Sequence, residues 1–318
     1  MDARALLRRL PLRRALLWGT AGLGLLVAGP GVWRAGFVSP EPTLLLRDRN
    51  DLFLGEVTLD EGQSQLGYWR LPAVPPRVAA ATIAVEDRRF AWHPGVDLAA
   101  IARALTQNVR HARRVSGGST LAMQVARLQH PGRRGLIRKA QEAVTAFLLT
   151  VRYGRQGVLR HYLEIVPYGN RVHGIAYAAR RYLDKPVEDL SWAETAFLTA
   201  IPQSPRRMNP FDPAGRLRAV ARGKRILRLL RRRGELTDAE LALAAREIAS
   251  LRVPPRRGRP PEAIHALLRF AEEARSPGGR EALAGRTVVK LTVDLPLQRR
   301  VALAARDSVT IWEKQGAG

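Results

Sequence analysis

A helical pattern runs from residue 78 to about residue 249, which is more than half of the chain. Apolar residues recur there at three- and four-residue spacing, as one buried face of a helix requires. Two capping-box pairs, Ser191 with Glu194 and Thr237 with Glu240, mark helix starts inside the stretch. We therefore predict a mainly α fold with one helical domain over residues 78–250.

An uncharged apolar segment, residues 15–33, precedes the helical stretch. Its length suits one crossing of a bilayer core. Five arginines lie before it and only Arg34 follows closely, so the positive-inside rule keeps residues 1–14 in the cytoplasm and the rest of the chain outside. A cleaved signal peptide is the alternative, but Pro30 and Trp33 make a poor cleavage site. We expect an uncleaved transmembrane helix over residues 15–36.

The segments on either side of the helical stretch differ from it. Residues 37–77 are punctuated by prolines and contain β-like runs at residues 43–46 and 52–57, which predicts an extended lead-in. Residues 251–287 open with a run rich in proline and arginine, which predicts a linker. Residues 288–318 begin with strand-like alternation and continue as a helix-like segment, which predicts the incomplete start of another domain.

The charge balance is strongly basic, with 53 Lys+Arg against 28 Asp+Glu and a formal net charge of +25. Such a surface prefers polyanions, and nucleic acid, an anionic lipid surface or a phosphorylated substrate all satisfy that preference. The chain has no cysteine, which excludes disulfides and cysteine-ligated zinc.

A charged run, EDRRF at residues 86–90, follows the small apolar residues 78–85. Glu86 thus emerges from the end of a buried segment, where a carboxylate is suited to act as a general base. The alternative is a solvated charge run at a helix end, which is favoured when the run is taken alone. His93, a little further on, is by itself more often structural than a metal ligand.

A second candidate segment is Gly117-Gly118-Ser119-Thr120, followed by a helical run. Such a loop-to-helix junction points backbone N–H groups at an anion. The alternative is a plain turn in which Ser119 is the N-cap.

A third candidate segment combines Arg134, Arg138, Lys139 and Glu142. It forms either a cationic strip with one carboxylate facing a cleft, or a surface pair one helical turn apart worth only ~0.3–0.5 kcal/mol. Periodicity alone favours the surface pair. The predicted buried stripe of this helix is Ile137, Val144, Leu148 and Val151.

Five segments stand in order along the chain: EDRRFAWHPGVD, GGSTLAMQ, RKAQE, VLRHYLEIVPYGN and AFLTAIPQSPRRMNP. They resemble the motifs of the glycosyltransferase family 51 domain of class A penicillin-binding proteins. The likeness covers about residues 60–250, and the first two segments look most like the penicillin-binding protein 1C branch. Residues 292–298 look like the opening of a transpeptidase domain, although no SxxK, SxN or KTG motif occurs in the chain.

The resemblance implies a lysozyme-like helical fold with a membrane-proximal lobe, on the outer side of the bacterial cytoplasmic membrane. It implies polymerisation of lipid II into β-1,4 glycan, with inversion and release of undecaprenyl pyrophosphate. The partners implied are lipid II, the nascent strand, the membrane and a transpeptidase, with no nucleic acid. No cofactor is required; a magnesium or manganese ion at the pyrophosphate is the metal that the resemblance allows.

The resemblance also implies roles for residues. Glu86 matches the catalytic base, and Glu142 matches a second glutamate that orients cations, holds a metal or stabilises the oxocarbenium. The residues expected at the substrate are Asp87, Arg88, Phe90, His93, Gly117, Gly118, Ser119, Thr120, Gln124, Arg127, Arg134, Arg138, Lys139 and Arg155. The chain departs from the family pattern at Ala122-Met123, Thr150, Gly154-Arg155 and Glu164. Arg155 conserves the charge, and the departures that bear on fine positioning and catalytic rate are Thr150 and Glu164.

Three other functions are weighed against the polymerase. A lysozyme-like muramidase also needs one glutamate, but it has no use for four cations beside it. A membrane-tethered scaffold that binds lipid II without turnover is compatible with the departures from the family pattern. Nucleic-acid binding has only the net charge in its favour, because no recognition motif occurs.

Overall fold

The computed structural model describes residues 26–60, 62, 66–110, 118–133, 135–255 and 258–314. The described chain is mainly helical, which confirms the predicted fold class. It divides into two compact units. The first unit comprises the residues up to Val38 together with Val78–Ile165, and the second comprises Ser39–Arg77 together with the chain from Val166 onward.

Besides the helical residues 26–33, the described part of the first unit contains four helices. They are α1 (Pro76–Glu86, which enters the unit at Val78), α2 (Leu98–Arg110), α3 (Leu121–Gln129) and α4 (Leu136–Ile165). Helix α3 packs along α4. Its first two turns bury the small and apolar residues Leu121, Ala122, Met123, Val125 and Ala126.

Helix α4 is interrupted at Gly154, where φ is 69° and ψ is 168°. This conformation belongs to a region that only glycine occupies readily, so the departure from the family pattern at this position permits the break. The predicted buried stripe is wrong, since Ile137 and Val151 are exposed. The helix buries Thr145, Ala146 and Leu149 instead.

Residues 26–33 are helical, and the segment that follows them lies along α4. Thr145 Oγ1 donates to the carbonyl of Gly31 (3.1 Å), and Phe37 stacks on Tyr153 and His161, on both sides of the break. No helix within the described ranges has the length and apolarity of a membrane span. Residues 15–25 of the expected anchor lie outside the described residues, and the anchor stays a prediction.

The second unit contains a three-stranded sheet made from distant parts of the chain. Strands β1 (Thr43–Arg47) and β2 (Phe53–Thr58) confirm the two β-like runs of the lead-in and pair antiparallel. In its described part the unit also contains a short hairpin of β3 (Pro167–Gly169) and β4 (Val172–His173). Strand β5 (Val288–Lys290) pairs parallel with β1, so the predicted lead-in and the predicted C-terminal segment share one sheet.

The described helices of the second unit are α5 (Ile175–Leu183), α6 (Trp192–Ala200), α7 (Pro213–Arg232), α8 (Asp238–Ala249), α9 (Ile264–Arg275), α10 (Pro277–Ala282) and α11 (Leu295–Lys314). Both predicted capping boxes are confirmed, at Ser191 for α6 and Thr237 for α8. Helix α9 packs on the sheet, where Leu267 and Ala271 join Leu44, Leu46 and Val289 in one apolar cluster.

Candidate active site

Glu86 is the last residue of α1 and is half-buried. Small buried residues, Ala81 and Ala84 among them, seat the preceding turns of the helix. Gln124 on α3 donates from Nε2 to Glu86 Oε2 over 3.0 Å. The first and second candidate segments therefore meet directly, and an amide hydrogen bond fixes the orientation of the carboxylate.

Asp87, the next residue, is buried and ties the loop after α1 to α3. Its Oδ2 accepts from the backbone N–H of Leu121 (3.0 Å), and its Oδ1 faces His93 Nε2 (2.9 Å). Because the Gly95 N–H donates to His93 Nδ1 (3.2 Å), the imidazole carries its hydrogen on Nε2 and donates it to Asp87. Both side chains thus hold in place the loop that follows Glu86.

Gly95 forms the tight turn of this loop, with φ at 99°. A Cβ there would lie 2.4 Å from the carbonyl oxygen of Ala146 and 2.5 Å from Thr150 Oγ1, so only glycine lets the loop approach α4. Thr150, a departure from the family pattern, thus lies directly beneath this turn. Its hydroxyl donates to the carbonyl of Ala146 (2.8 Å).

The junction before α3 has Thr120 as its N-cap, not Ser119. The Thr120 hydroxyl accepts from the N–H of Met123 and donates to the carbonyl of Gly95. Gly118 packs on α2, since a Cβ there would lie 2.8 Å from Ile101 Cα. Ser119 is half-buried and lines a cavity beside Glu86.

A cavity of about 440 Å³ opens beside Glu86 within the first unit. It is lined by Val85, Glu86, Asp87, Arg88, Arg89, Asp97, Ala100, Arg103, Gln107, Gly118, Ser119 and Thr120. Three acidic and three arginine side chains face one another across it, and Arg89 Nε lies 3.5 Å from Asp97 Oδ2. Its lining is therefore polar and suited to a hydroxylated or charged ligand.

Sequence reasoning missed Arg103 and Gln107 as lining residues. They lie one and two turns after Ala100 on α2, so the helical period of that segment was the available signal. Phe90 is 7% exposed and belongs to the core rather than to the cavity surface.

The predicted cations form a separate group on α3 and α4. Arg138 Nε lies 3.8 Å from Glu142 Oε1, with side chains only 16% and 12% exposed, so the pair is not a solvated surface pair. Lys139 is exposed and Arg127 lies in the last turn of α3, one turn beyond Gln124. None of these four residues lines the cavity beside Glu86.

Three other residues were expected at the substrate: Arg155, Gly117 and Arg134. Arg155, just after the break in α4, donates from Nε to the carbonyl of His93 (3.2 Å) and so braces the loop of Glu86. Gly117 and Arg134 lie outside the described residues.

Among the residues that the structure describes, no three acidic, histidine or cysteine side chains converge as a metal site.

Comparisons with known proteins agree with these motifs. The family described as Transglycosylase matches residues 54–231. Penicillin-binding protein 1C of Escherichia coli is 40% identical over 148 residues, which is 45% of this chain and 19% of that protein. The biosynthetic peptidoglycan transglycosylase of Citrobacter koseri is 33% identical over 237 residues, covering 72% of this chain and 92% of that protein.

A crystal structure of penicillin-binding protein 1A from Haemophilus influenzae covers 77% of this chain and 26% of its own, with a TM-score of 0.41 and 18% identity. The chain spans about a fifth of the length of penicillin-binding protein 1C and 32% of penicillin-binding protein 1F of Bacillus subtilis. On the family match and the 72% coverage by the Citrobacter relative, this chain belongs to the transglycosylase family.

Proposed function

We propose that this chain is a peptidoglycan glycosyltransferase that polymerises lipid II. The observation that carries the proposal is the Glu86 carboxylate, held by Gln124 beside a polar cavity, inside the segment that matches the transglycosylase family. The relative that matches over most of its length is named a biosynthetic peptidoglycan transglycosylase. The fold that goes with this function is lysozyme-like with a membrane-proximal lobe.

In the proposed reaction the 4-hydroxyl of the acceptor sugar attacks the anomeric carbon of the lipid-linked donor. Glu86 takes the hydroxyl proton as the new bond forms. The bond from the anomeric carbon to the pyrophosphate oxygen breaks at the same time, and the electron pair leaves with undecaprenyl pyrophosphate. Attack opposite the leaving group inverts the anomeric centre and gives a β-1,4 bond.

The leaving pyrophosphate needs charge stabilisation more than a proton. Preorganised cations supply it, and Arg127, Arg138 and Lys139 are the described residues assigned to this role, with Arg134 beside them in sequence. Glu142 orients Arg138. A magnesium or manganese ion, if bound, would take most of its ligands from pyrophosphate oxygens, with Glu142 as the protein carboxylate.

The substrate is carried by lipid, which favours placing the domain on the outer face of the bacterial cytoplasmic membrane by the anchor expected at residues 15–36. A transpeptidase that crosslinks the nascent strands is the proposed partner. The non-catalytic scaffold is not favoured, because Glu86 and the residue that orients it are both in place.

The test is incubation of the detergent-solubilised chain with lipid II, followed by size separation of the products. Polymer that a muramidase degrades to disaccharide units is the expected result. Lipid II that is bound but stays monomeric would refute polymerisation and support the scaffold.

A further inference from the structure

Four ionisable side chains in the described part of the first unit keep a buried nitrogen without a hydrogen-bond partner. Three of these nitrogens, Arg34 Nε, His130 Nε2 and Arg138 Nε, belong to neighbouring side chains, whereas the fourth is Nε2 of His161, which stacks on Phe37. Folded proteins form hydrogen bonds to nearly all buried polar groups, because a buried donor without an acceptor loses its hydrogen bonds to water and gains none in return. Three such groups in one place therefore indicate an acceptor-rich ligand.

The three side chains lie together. The imidazole of His130 donates to the backbone carbonyl of Arg34, and because Nε2 is unpaired this bond uses Nδ1. Arg34 Nη1 also donates to Gln141 Oε1 (3.1 Å), three residues after Arg138 on α4. Burial, and then the nearby charges of Arg34 and Arg138, hold the pKa of His130 below its usual range.

The charge of this cluster is only partly balanced. Glu142 is the carboxylate beside it, and its Oε1 lies 3.8 Å from Arg138 Nε, beyond hydrogen-bond distance. The Arg34 guanidinium donates to the neutral amide oxygen of Gln141, so Glu142 offsets the charge of Arg138 alone. Buried cations are costly unless paired and hydrogen-bonded, so an anion that meets all three nitrogens lowers the free energy of the cluster.

The rim of the cluster is apolar and exposed. The Trp33 ring lies 6.3 Å from the His130 ring and is 81% exposed, and Val32 beside it is 61% exposed. Leu136 and Ile137, just before Arg138, are 88% and 46% exposed. Cations below an exposed apolar rim match the chemistry of a phosphate attached to a hydrocarbon chain.

We propose that Arg34, His130 and Arg138 form a binding site for a phosphate group carried on a lipid. The proposal rests on the proposed function and deepens it, since Arg138 is among the cations assigned to the donor pyrophosphate. Arg34 and His130 lie outside the five matched motifs, and Arg34 extends the site to the C-terminal end of the expected anchor.

The test measures binding, not turnover, with the full chain in detergent. Calorimetry with farnesyl pyrophosphate compares the wild type with Arg34→Gln and His130→Gln, each of which should bind about tenfold more weakly. Arg160→Gln is the matched control, because Arg160 is an exposed arginine of α4 outside the cluster. Arg34→Lys keeps the charge and should retain most of the affinity, and thermal unfolding checks that every variant is folded.

The pH dependence tests His130 separately. A bound anion favours the protonated imidazole, so wild-type affinity should rise from pH 8 to pH 6 by more than it does in His130→Gln, in which only the ligand titrates. An identical pH dependence in both proteins would remove His130 from the site.

Vesicles identify the source of the phosphate. Weaker binding of both variants to phosphatidylglycerol vesicles, with unchanged farnesyl pyrophosphate binding, would assign the site to a phospholipid headgroup. The reverse pattern would assign it to the lipid-linked substrate. If Arg34→Gln and His130→Gln bind as well as Arg160→Gln in every assay, the proposal is overturned. If both variants bind farnesyl pyrophosphate more weakly but the wild-type chain does not polymerise lipid II, the binding site stands and only the proposed function is refuted.

Discussion

Replacing Gln124 with methionine removes the hydrogen bond that orients Glu86 while keeping an unbranched side chain of similar length. The amide donates to a carboxylate over 3.0 Å in a half-buried site, and such charge-assisted bonds contribute about 1.5–3 kcal/mol. If this bond positions the base in the transition state, kcat should fall by about ten- to a hundredfold. KM for lipid II should change little, because the lost contact is to the base and not to the substrate.

The assay is the steady-state rate of lipid II polymerisation over a range of lipid II concentrations. Gln156→Met is the matched control, because Gln156 is an exposed glutamine of α4. A kcat within twofold of wild type in Gln124→Met would show that the hydrogen bond does not position the base. An equal fall in the control would attribute the loss to general damage.

Two further predictions concern the loop that follows Glu86. Asp87→Asn must turn its amide toward one of two backbone or ring donors, so it should cost about 2–3 kcal/mol of unfolding free energy, measured by chemical denaturation; an unchanged midpoint would contradict the paired-donor geometry. Gly95→Ala meets a carbonyl oxygen at 2.4 Å at a positive φ, and should lower the melting temperature by several degrees and abolish polymerisation. A fully active, equally stable alanine variant would show that the loop does not need this turn.

Much of the secondary structure could be predicted because its signals are local. Both capping boxes, the β-like runs of the lead-in and the strand near residue 288 depend on residues within a few positions of one another. The family resemblance implied that Glu86 and the residues around the start of α3 line the same site. The structure shows how they contact each other, through the hydrogen bond from Gln124 to Glu86.

Other features depend on contacts that no local pattern encodes. Leu45 pairs with Val288 in a parallel arrangement, although the two residues are far apart in sequence. The sequence of either strand alone does not predict which strand it will pair with. The prediction of the buried face of α4 was wrong, because Ile137 and Val151 fit the helical period but are exposed in the structure. Arg155 was assigned to the substrate, yet the structure shows it bound to the carbonyl of His93, which only the folded loop brings within reach.

A single-turnover measurement of lipid II coupling by Glu86→Gln tests whether Glu86 is the general base. Glu235→Gln, at an exposed position of the second unit, is the matched control. We expect Glu86→Gln to bind lipid II as the wild type does but to form no glycosidic bond, while the control retains full activity. Coupling by Glu86→Gln at the wild-type rate would contradict the assignment of Glu86 as the base.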